Sequence, residues 1–269
     1  MIDIVDLCMW TKNGARYLPT VLKRIHQVIP EKVVHRKILV DDSSQDLTRE
    51  IAKDFGWTVY DNPEGFVSGG TREALKHVDC EFFASFEQDL ILAKDWWQKI
   101  PPHMDDLNVL TAQGIRVFTN RTLRCFNDYK YANDRKQLGG SIDNNIFRTS
   151  LLRELGGFPN NDKISVDGEL RDIMRMTKYK WVIDETAVSY HIRESVFQTA
   201  RHEYRQYIPT TRDRFVGVTR RKLLKGAATA PLRLTRIALK EQCPQIYLAY
   251  PYLSLMNLKS FMHRQKVIK

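Results

Sequence analysis

Residues 80–92 read CEFFASFEQDLIL: a short aromatic run over 82–86 that passes without a break into Glu87-Gln88-Asp89, with the apolar pair Ile91-Leu92 directly after it. An apolar segment so short and continuous suits a strand buried on both faces of a parallel sheet, not an amphipathic surface helix. Two carboxylates at i and i+2 beyond the end of such a strand are costly unless a cation meets them. Open α/β sheets bind ligands at the carboxyl ends of their strands, and a divalent cation carrying phosphate oxygens takes carboxylate ligands. For these three residues taken alone, a solvated turn is the plainer account. The flanking chain decides between the two.

Upstream, residues 2–8 alternate and then run apolar, which reads as a first strand, and the turn residues Thr11-Lys12-Asn13-Gly14 follow. Leu18, Val21, Leu22 and Ile25 then recur at helical spacing until Ile29-Pro30. A second buried strand over 37–40 ends in Asp41-Asp42-Ser43-Ser44, and Asp46 stands where an N-cap is wanted for the next helix. A third strand over 57–60, the turn Asn62-Pro63-Glu64-Gly65 and a helix opened by Gly69-Gly70 lead into the 82–86 strand. The order β-α-β-α-β-α-β predicts a right-handed, mostly parallel nucleotide-binding sheet. Acids therefore recur on one edge of it: Asp41-Asp42 after the second strand, Glu87 and Asp89 after the fourth. A single acid there is commonplace as a cap; two sets point to a shared site.

Downstream the pattern predicts strands over 109–112 and 115–118, a polar loop over 121–137, a helix over 149–155 and another starting at Val166-Asp167-Gly168-Glu169-Leu170. Two further strands are expected over 181–183 and 187–190, the second closed by His191. Trp96 and Trp97, in a helix after a strand, read as core in preference to an acceptor platform.

The 269 residues suffice for one large domain, and the formal charge of +10 is unevenly placed. Residues 192–269 hold 16 Lys/Arg against 4 Asp/Glu, leaving 26 against 28 in residues 1–191. Such a field governs association and not fold; it suits nucleic acid, an anionic membrane or a phosphorylated substrate. Residues 206–269 read as a basic amphipathic helical tail, with Arg233, Arg236 and Lys240 on one face opposite Leu232, Ile237 and Leu239, and with Tyr247, Tyr250 and Tyr252 further on. Apolar and aromatic residues interleaved with Lys/Arg describe peripheral contact at a membrane face, the alternative being a helix packed on the body with a solvated basic face. No recognised nucleic-acid motif is present. The start at Ile2-Asp3-Ile4-Val5 lacks a basic n-region, and no uncharged apolar run reaches membrane-spanning length, so a cytoplasmic location is expected. Cys8, Cys80, Cys125 and Cys243 are scattered, which argues for free thiols and against a zinc site.

Taken in order, these motifs resemble the family 2 glycosyltransferases of GT-A fold over about residues 2–205. Residues 8–13 stand where such enzymes open with a strand and a Thr-x-Asn turn. Residues 40–46 (VDDSSQD) resemble Val-Asp-Asp-Gly-Ser-x-Asp, and residues 62–72 (NPEGFVSGGTR) resemble the Asn-x-Gly loop leading to Ala-Arg-Asn. Glu87-Gln88-Asp89 takes the place of the metal-binding Asp-x-Asp. Residues 155–158 (LGGF) and 166–170 (VDGEL) match Gly-Gly-Phe and Glu-Asp-x-x-Leu, with His191 at a final strand end. Glu87 departs from the usual first Asp, Val166 from the usual Glu beside the base, and residues 71–73 (TRE) from Ala-Arg-Asn.

The resemblance implies an α/β, Rossmann-like, mostly parallel mixed sheet flanked by helices, with 1–100 binding a nucleotide sugar, 101–205 binding the acceptor, and 206–269 as an extension. It implies inverting transfer from a nucleoside-diphosphate sugar, UDP- or GDP-linked, to a glycan or lipid-linked acceptor. The cofactor would be Mn²⁺ or Mg²⁺ on Asp89 and His191, the latter alternatively a core histidine. Asp167 would be the general base, the alternative for it being an N-cap of a helix beginning at Gly168; Glu169 would be a structural or acceptor-positioning acid. Thr11, Asp42, Arg72, Glu87 and Gln88 would contact the nucleotide sugar, while Asp41 braces its turn. A metal-dependent nucleotidyltransferase would need a Gly-rich, basic loop after the first strand, for which residues 11–14 are too short. A basic nucleic-acid-binding protein is the reading from another class, resting on the tail alone.

Overall fold

The computed structural model describes residues 2–160, 166–197, 199, 228–247 and 249. Contacts divide the chain into two compact units, residues 1–117 with 134–192 and residues 118–133 with 193–269. The expected boundary at 205–206 lies outside the described residues.

In the first unit the predicted alternation is present: β1 (Val5–Thr11), α1 (Leu18–Val28), β2 (Val34–Asp41), α2 (Thr48–Asp54), β3 (Thr58–Asp61), α3 (Phe66–Lys76) and β4 (Phe82–Glu87). It continues through β5 (Leu90–Ile91), α4 (Trp96–Lys99), β6 (Val109–Phe118), β7 (Asn145–Arg148), α6 (Thr149–Glu154), α7 (Val166–Arg175) and β8 (Lys180–His191), with α5 (Arg121–Lys130) falling in the second unit. The sheet order is β3-β2-β1-β4-β7-β6-β8-β5. Strands β3, β2, β1 and β4 are parallel; β7 runs antiparallel to β4 and β6, and β5 antiparallel to β8. This is a mixed, mostly parallel GT-A-like α/β sheet.

Strand alternation sorts side chains to opposite faces. Leu7, Met9, Leu39, Ala84 and Phe86 pack with the α1 residues Leu18, Val21, Leu22 and Ile25 and with Trp96. Cys8, Trp10, Ile38, Val40 and Phe83 pack on the other face with Ala74, Leu75 and Leu170. Each large apolar side chain buried this way contributes about 1.5–3 kcal/mol. Trp96 is core, as read from the sequence, its ring nitrogen donating to the Asn144 carbonyl. Helix α1 stops where Pro30 forces the preceding Ile29 into an extended conformation.

Four local expectations are corrected. The strands expected over 109–112 and 115–118 are one strand, β6, because Gly114 marks a close approach and not a break: a Cβ there would lie 2.3 Å from the Ala187 carbonyl of β8. The polar residues Asp184 and Glu185 likewise stay extended inside a continuous β8. Gly69 and Gly70 do not open a helix. They lie inside α3, where Cβ atoms would come within 2.5 Å of Asn62 Oδ1 and 2.9 Å of Trp10 Cβ, so they let the helix sit close on β1. The loop expected over 121–137 contains α5, capped by Asn120, whose side chain accepts from the Leu123 N–H at 3.2 Å.

Within the second unit, α5 and α8 (Ala230–Lys240) meet around Cys125, Leu234, Ile237, Cys243 and Ile246. Ile237 is thus on the buried side, whereas Leu232 and Leu239 are exposed beside Arg233, Arg236 and Lys240. The face opposite the core is therefore mixed basic and apolar, not purely basic as the helical reading had it. Tyr250, Tyr252 and residues 206–227 lie outside the described residues. No described helix is long and apolar enough to cross a membrane, and all four cysteines are free.

Candidate active site

Pairing register brings Thr11 level with Asp41, Asp41 level with Asp61, and Trp10 level with Glu87 along one rim of the sheet. Asp41 is buried and its carboxylate accepts from Thr11 Oγ1 (3.2 Å), Ser44 Oγ (2.5 Å), the Ser44 N–H (3.0 Å) and Arg49 (3.3 Å). It braces the turn, as expected from the sequence, and it occupies the Thr11 hydroxyl. Asp42 behaves differently. Its N–H continues the ladder to the Thr11 carbonyl (2.9 Å), one carboxylate oxygen meets Lys12 Nζ (2.9 Å), and the other faces Gly65.

Non-glycine residues with left-handed backbone gather on this rim. Asn13 (φ 49°) follows β1, Ser43 (φ 55°) follows β2, Phe66 (φ 58°) follows β3, and Asn144 (φ 65°) precedes β7, whose start pairs with the end of β4. Such residues are strained and concentrate where binding geometry over-determines the chain.

Gln88 has a clear structural task. Its amide oxygen accepts the Lys12 N–H at 2.8 Å and its amide nitrogen donates to the Lys12 carbonyl at 3.0 Å. The clamp locks the Glu87-Asp89 turn to the turn after β1. Both ends of the amide are thus engaged with the Lys12 backbone.

Glu87, Asp89 and His191 each offer a ligand atom within 4.8 Å of the others. The β5–β8 register sets this: Leu90 pairs with His191, and the Ile192 N–H donates to the Asp89 carbonyl at 2.8 Å. His191 Nε2 lies 3.2 Å from Asp89 Oδ1 and 3.9 Å from Glu87 Oε2, with the ring buried and the carboxylates partly exposed. Two carboxylates and an imidazole open to solvent on one side suit a divalent cation such as Mn²⁺, which accepts a nitrogen ligand, and Mg²⁺ through the oxygens. The donor set fits the cation the sequence implied, with Glu87 joining Asp89 and His191.

The sequence did not disclose the charge pair behind this cluster. Arg116, on β6, sits 2.7 Å from the fully buried carboxylate of Asp143 and 3.9 Å from Glu87. Burial works against both charges, yet Asp143 and then Glu87 outweigh it and raise the Arg116 pKa, with Asp167 acting in the same direction. Burial likewise opposes ionisation of Asp143, and Arg116 followed by His191 overcomes it, holding that carboxyl below its ordinary value. Arg116 thus senses the Glu87 end and Asp167 together. An arginine as the one charged residue of β6 was the available signal; its partner, 27 residues on, was not readable.

Asp167 stands in the first turn of α7, which begins at Val166, so it is not the N-cap of a helix starting at Gly168. Its carboxylate is about one-third exposed and 3.8 Å from Arg171 one turn on. Arg72 pairs with Glu64 and donates to the Pro159 carbonyl at 3.0 Å. It also lines a 310 Å³ depression with Leu75, Lys76, Arg153, Gly157 and Phe158, which includes none of the rim acids.

By sequence, no curated protein matches the chain. Among solved structures, the mannosyltransferase PcManGT from Pyrobaculum calidifontis, in complex with GDP-Man and Mn²⁺, is similar with a TM-score of 0.64 at 16% identity, covering 96% of this chain and 86% of that one. TarS (residues 1–349) from S. aureus, in complex with UDP, gives 0.56 at 16% identity, with 96% and 89% covered. Glucosyl-3-phosphoglycerate synthase from Mycobacterium tuberculosis, in complex with Mn²⁺, UDP and glucosyl-3-phosphoglycerate, gives 0.55 at 16% identity, with 78% and 82% covered. These likenesses carry the fold. The family is carried by the sequence itself: residues 6–156, more than half the chain and the whole rim from β1 through Asp143, match the model of Glycosyl transferase family 2, and this protein belongs to that family.

Proposed function

We propose that this glycosyltransferase moves a sugar from a nucleoside diphosphate to an acceptor hydroxyl with inversion at the anomeric carbon. The observation that carries this reading is the Glu87–Asp89–His191 cluster at the carboxyl rim of the sheet. The similar structures hold GDP-Man, UDP and Mn²⁺, which supports a UDP- or GDP-linked donor and a divalent cation here. When bound, that cation neutralises the charge that builds on the departing diphosphate. Glu87, Asp89 and His191 would hold it, and Gln88 keeps the two acids in place. Asp42, with one oxygen towards Gly65, accepts a hydrogen bond from base or ribose; Thr11 acts through its backbone and through Asp41. Arg72, tied to Glu64 and to the Pro159 carbonyl, meets the base or phosphate of the donor. Asp167 takes the acceptor proton as the hydroxyl attacks.

A panel of UDP- and GDP-sugars, titrated with and without Mn²⁺ and assayed for transfer or slow hydrolysis, tests this directly. One nucleotide class should bind in a metal-dependent manner. Chelation, or Asp89→Asn, should lower turnover by about two orders of magnitude, the equivalent of about 3 kcal/mol of lost electrostatic stabilisation. Full turnover in chelator, or no nucleotide sugar bound, would discard the assignment.

The acceptor is proposed to be a glycan or lipid-linked glycan, met at the cytoplasmic face of a membrane. Support comes from the exposed face of α8, where Leu232 and Leu239 lie among Arg233, Arg236 and Lys240. Each basic residue near an anionic surface contributes about 1 kcal/mol. Changing all three to Gln should therefore weaken flotation with anionic vesicles by about two orders of magnitude, with little effect on neutral vesicles. Undiminished flotation would remove α8 from membrane contact, and a duplex-DNA shift that tracked the same changes would favour the nucleic-acid reading.

A further inference from the structure

Asp6, His35 and Cys80 converge at the opposite end of β1 from the acidic rim. Asp6 is level with Phe83 while Trp10 is level with Glu87, so roughly 13 Å separates the two levels at ~3.3 Å per residue. Asp6 is completely buried; its Oδ2 accepts the N–H groups of Asp79 (2.7 Å) and Cys80 (2.9 Å), which fixes Cys80 beside it. Oδ1 faces His35 Nδ1 at 3.0 Å, and the Cys80 sulfur completes the group. One nitrogen, one sulfur and one oxygen thus lie within 4.8 Å of one another.

We infer that Asp6, His35 and Cys80 form a second divalent-metal site, for an ion of the zinc type, distinct from the catalytic rim. The donors are of three kinds, the mixed N, S and O set that borderline cations take in tetrahedral geometry. An ion about 2.0–2.1 Å from nitrogen and oxygen sets them roughly 3.3 Å apart at a tetrahedral angle, close to the 3.0 Å separation of His35 and Asp6. The His35 side chain is 38% exposed, so the ion has an entry path and water can take the fourth position. The spacing of the four cysteines gave no hint of this, because the ligands come from three separate segments.

The surroundings of Cys80 disfavour a nucleophilic thiolate. Burial first, then the Asp6 carboxylate, push its thiol up to about 11, and a thiol in that state is unreactive. Metal binding displaces the thiol proton to solvent and forms the metal–sulfur bond with no redox change. The ion would tie the starts of β1 and β2 to the turn before β4, a clamp on the parallel half of the sheet.

Cobalt(II) is the probe, added to the full chain. One equivalent should produce sulfur-to-cobalt charge-transfer absorption, which zinc(II) abolishes. The band should vanish in Cys80→Ser, weaken in His35→Ala with an affinity loss of about tenfold or more, and persist in Asp89→Asn, since no sulfur belongs to the catalytic cluster. Absence of a sulfur band, or a band that survives Cys80→Ser, would overturn the site. Should Cys80→Ser not fold, the exposed His35→Ala change decides: unaltered cobalt affinity there is equally fatal.

Discussion

Replacing Asp167 with Asn is expected to lower turnover by about two to four orders of magnitude, the usual contribution of a general base, while donor affinity stays within about twofold. Val166 and Leu170 pack into the core and fix the first turn of α7, so the carboxylate between them is held by helix geometry and not by a loop. Asn preserves size and helical phase. What the exchange costs in stability is the favourable meeting of a negative charge with the helix N-terminus, about 0.3–1 kcal/mol, too little to account for lost turnover. Glu169 provides the control, since two residues along a helix face different directions; Glu169→Gln should change turnover far less. Single-turnover kinetics with calorimetric donor binding separates the two effects. Unchanged turnover in Asp167→Asn would remove it from proton transfer, and an equal loss of donor affinity would recast it as a binding residue.

What the sequence disclosed follows the range of the forces involved. The β1-to-β4 half was legible because its signals are local: apolar runs of strand length, helical spacing over 18–25, and acids immediately after strands. Asp41 as a brace and Trp96 as core followed from the same logic. Where the reading failed, the deciding contact lay far along the chain. Gly114 looked like a break until Ala187 was seen against it, and Gly69 and Gly70 looked like a helix start until the distant Trp10 was seen to require the space at Gly70. That the Gln88 amide clasps Lys12, 76 residues away, was likewise announced by no pattern. The Asp6–His35–Cys80 triad and the Arg116–Asp143 pair were invisible for the same reason. Strand register assembles them, and register is set by the whole sheet.

Arg116→Met should produce the largest loss of stability of any single change at the site, about 3–5 kcal/mol, because it strands a completely buried carboxylate. The sign of the pH effect follows from the direction of the Asp143 shift. In the native protein that carboxyl lies below its ordinary value; its stabilisation is complete above the unfolded carboxylate value of about 4 and is lost as pH falls through the folded value. Without Arg116, burial prevails and the same carboxyl is pushed up, so the variant is penalised at neutral pH and relieved on acidification. The gap between the two proteins, measured by urea unfolding in chelator, should therefore be widest near pH 7 and close towards pH 4. A gap independent of pH would mean that lost packing, and not lost charge, is responsible. The double variant Arg116→Met/Asp143→Asn removes the stranded charge and should regain most of the stability. Turnover should not return with it, because Arg116 also lies 3.9 Å from Glu87. A double variant as active as the native enzyme would show that the pair only supports the fold, whereas recovered stability without turnover assigns Arg116 to holding the acidic rim in its working arrangement.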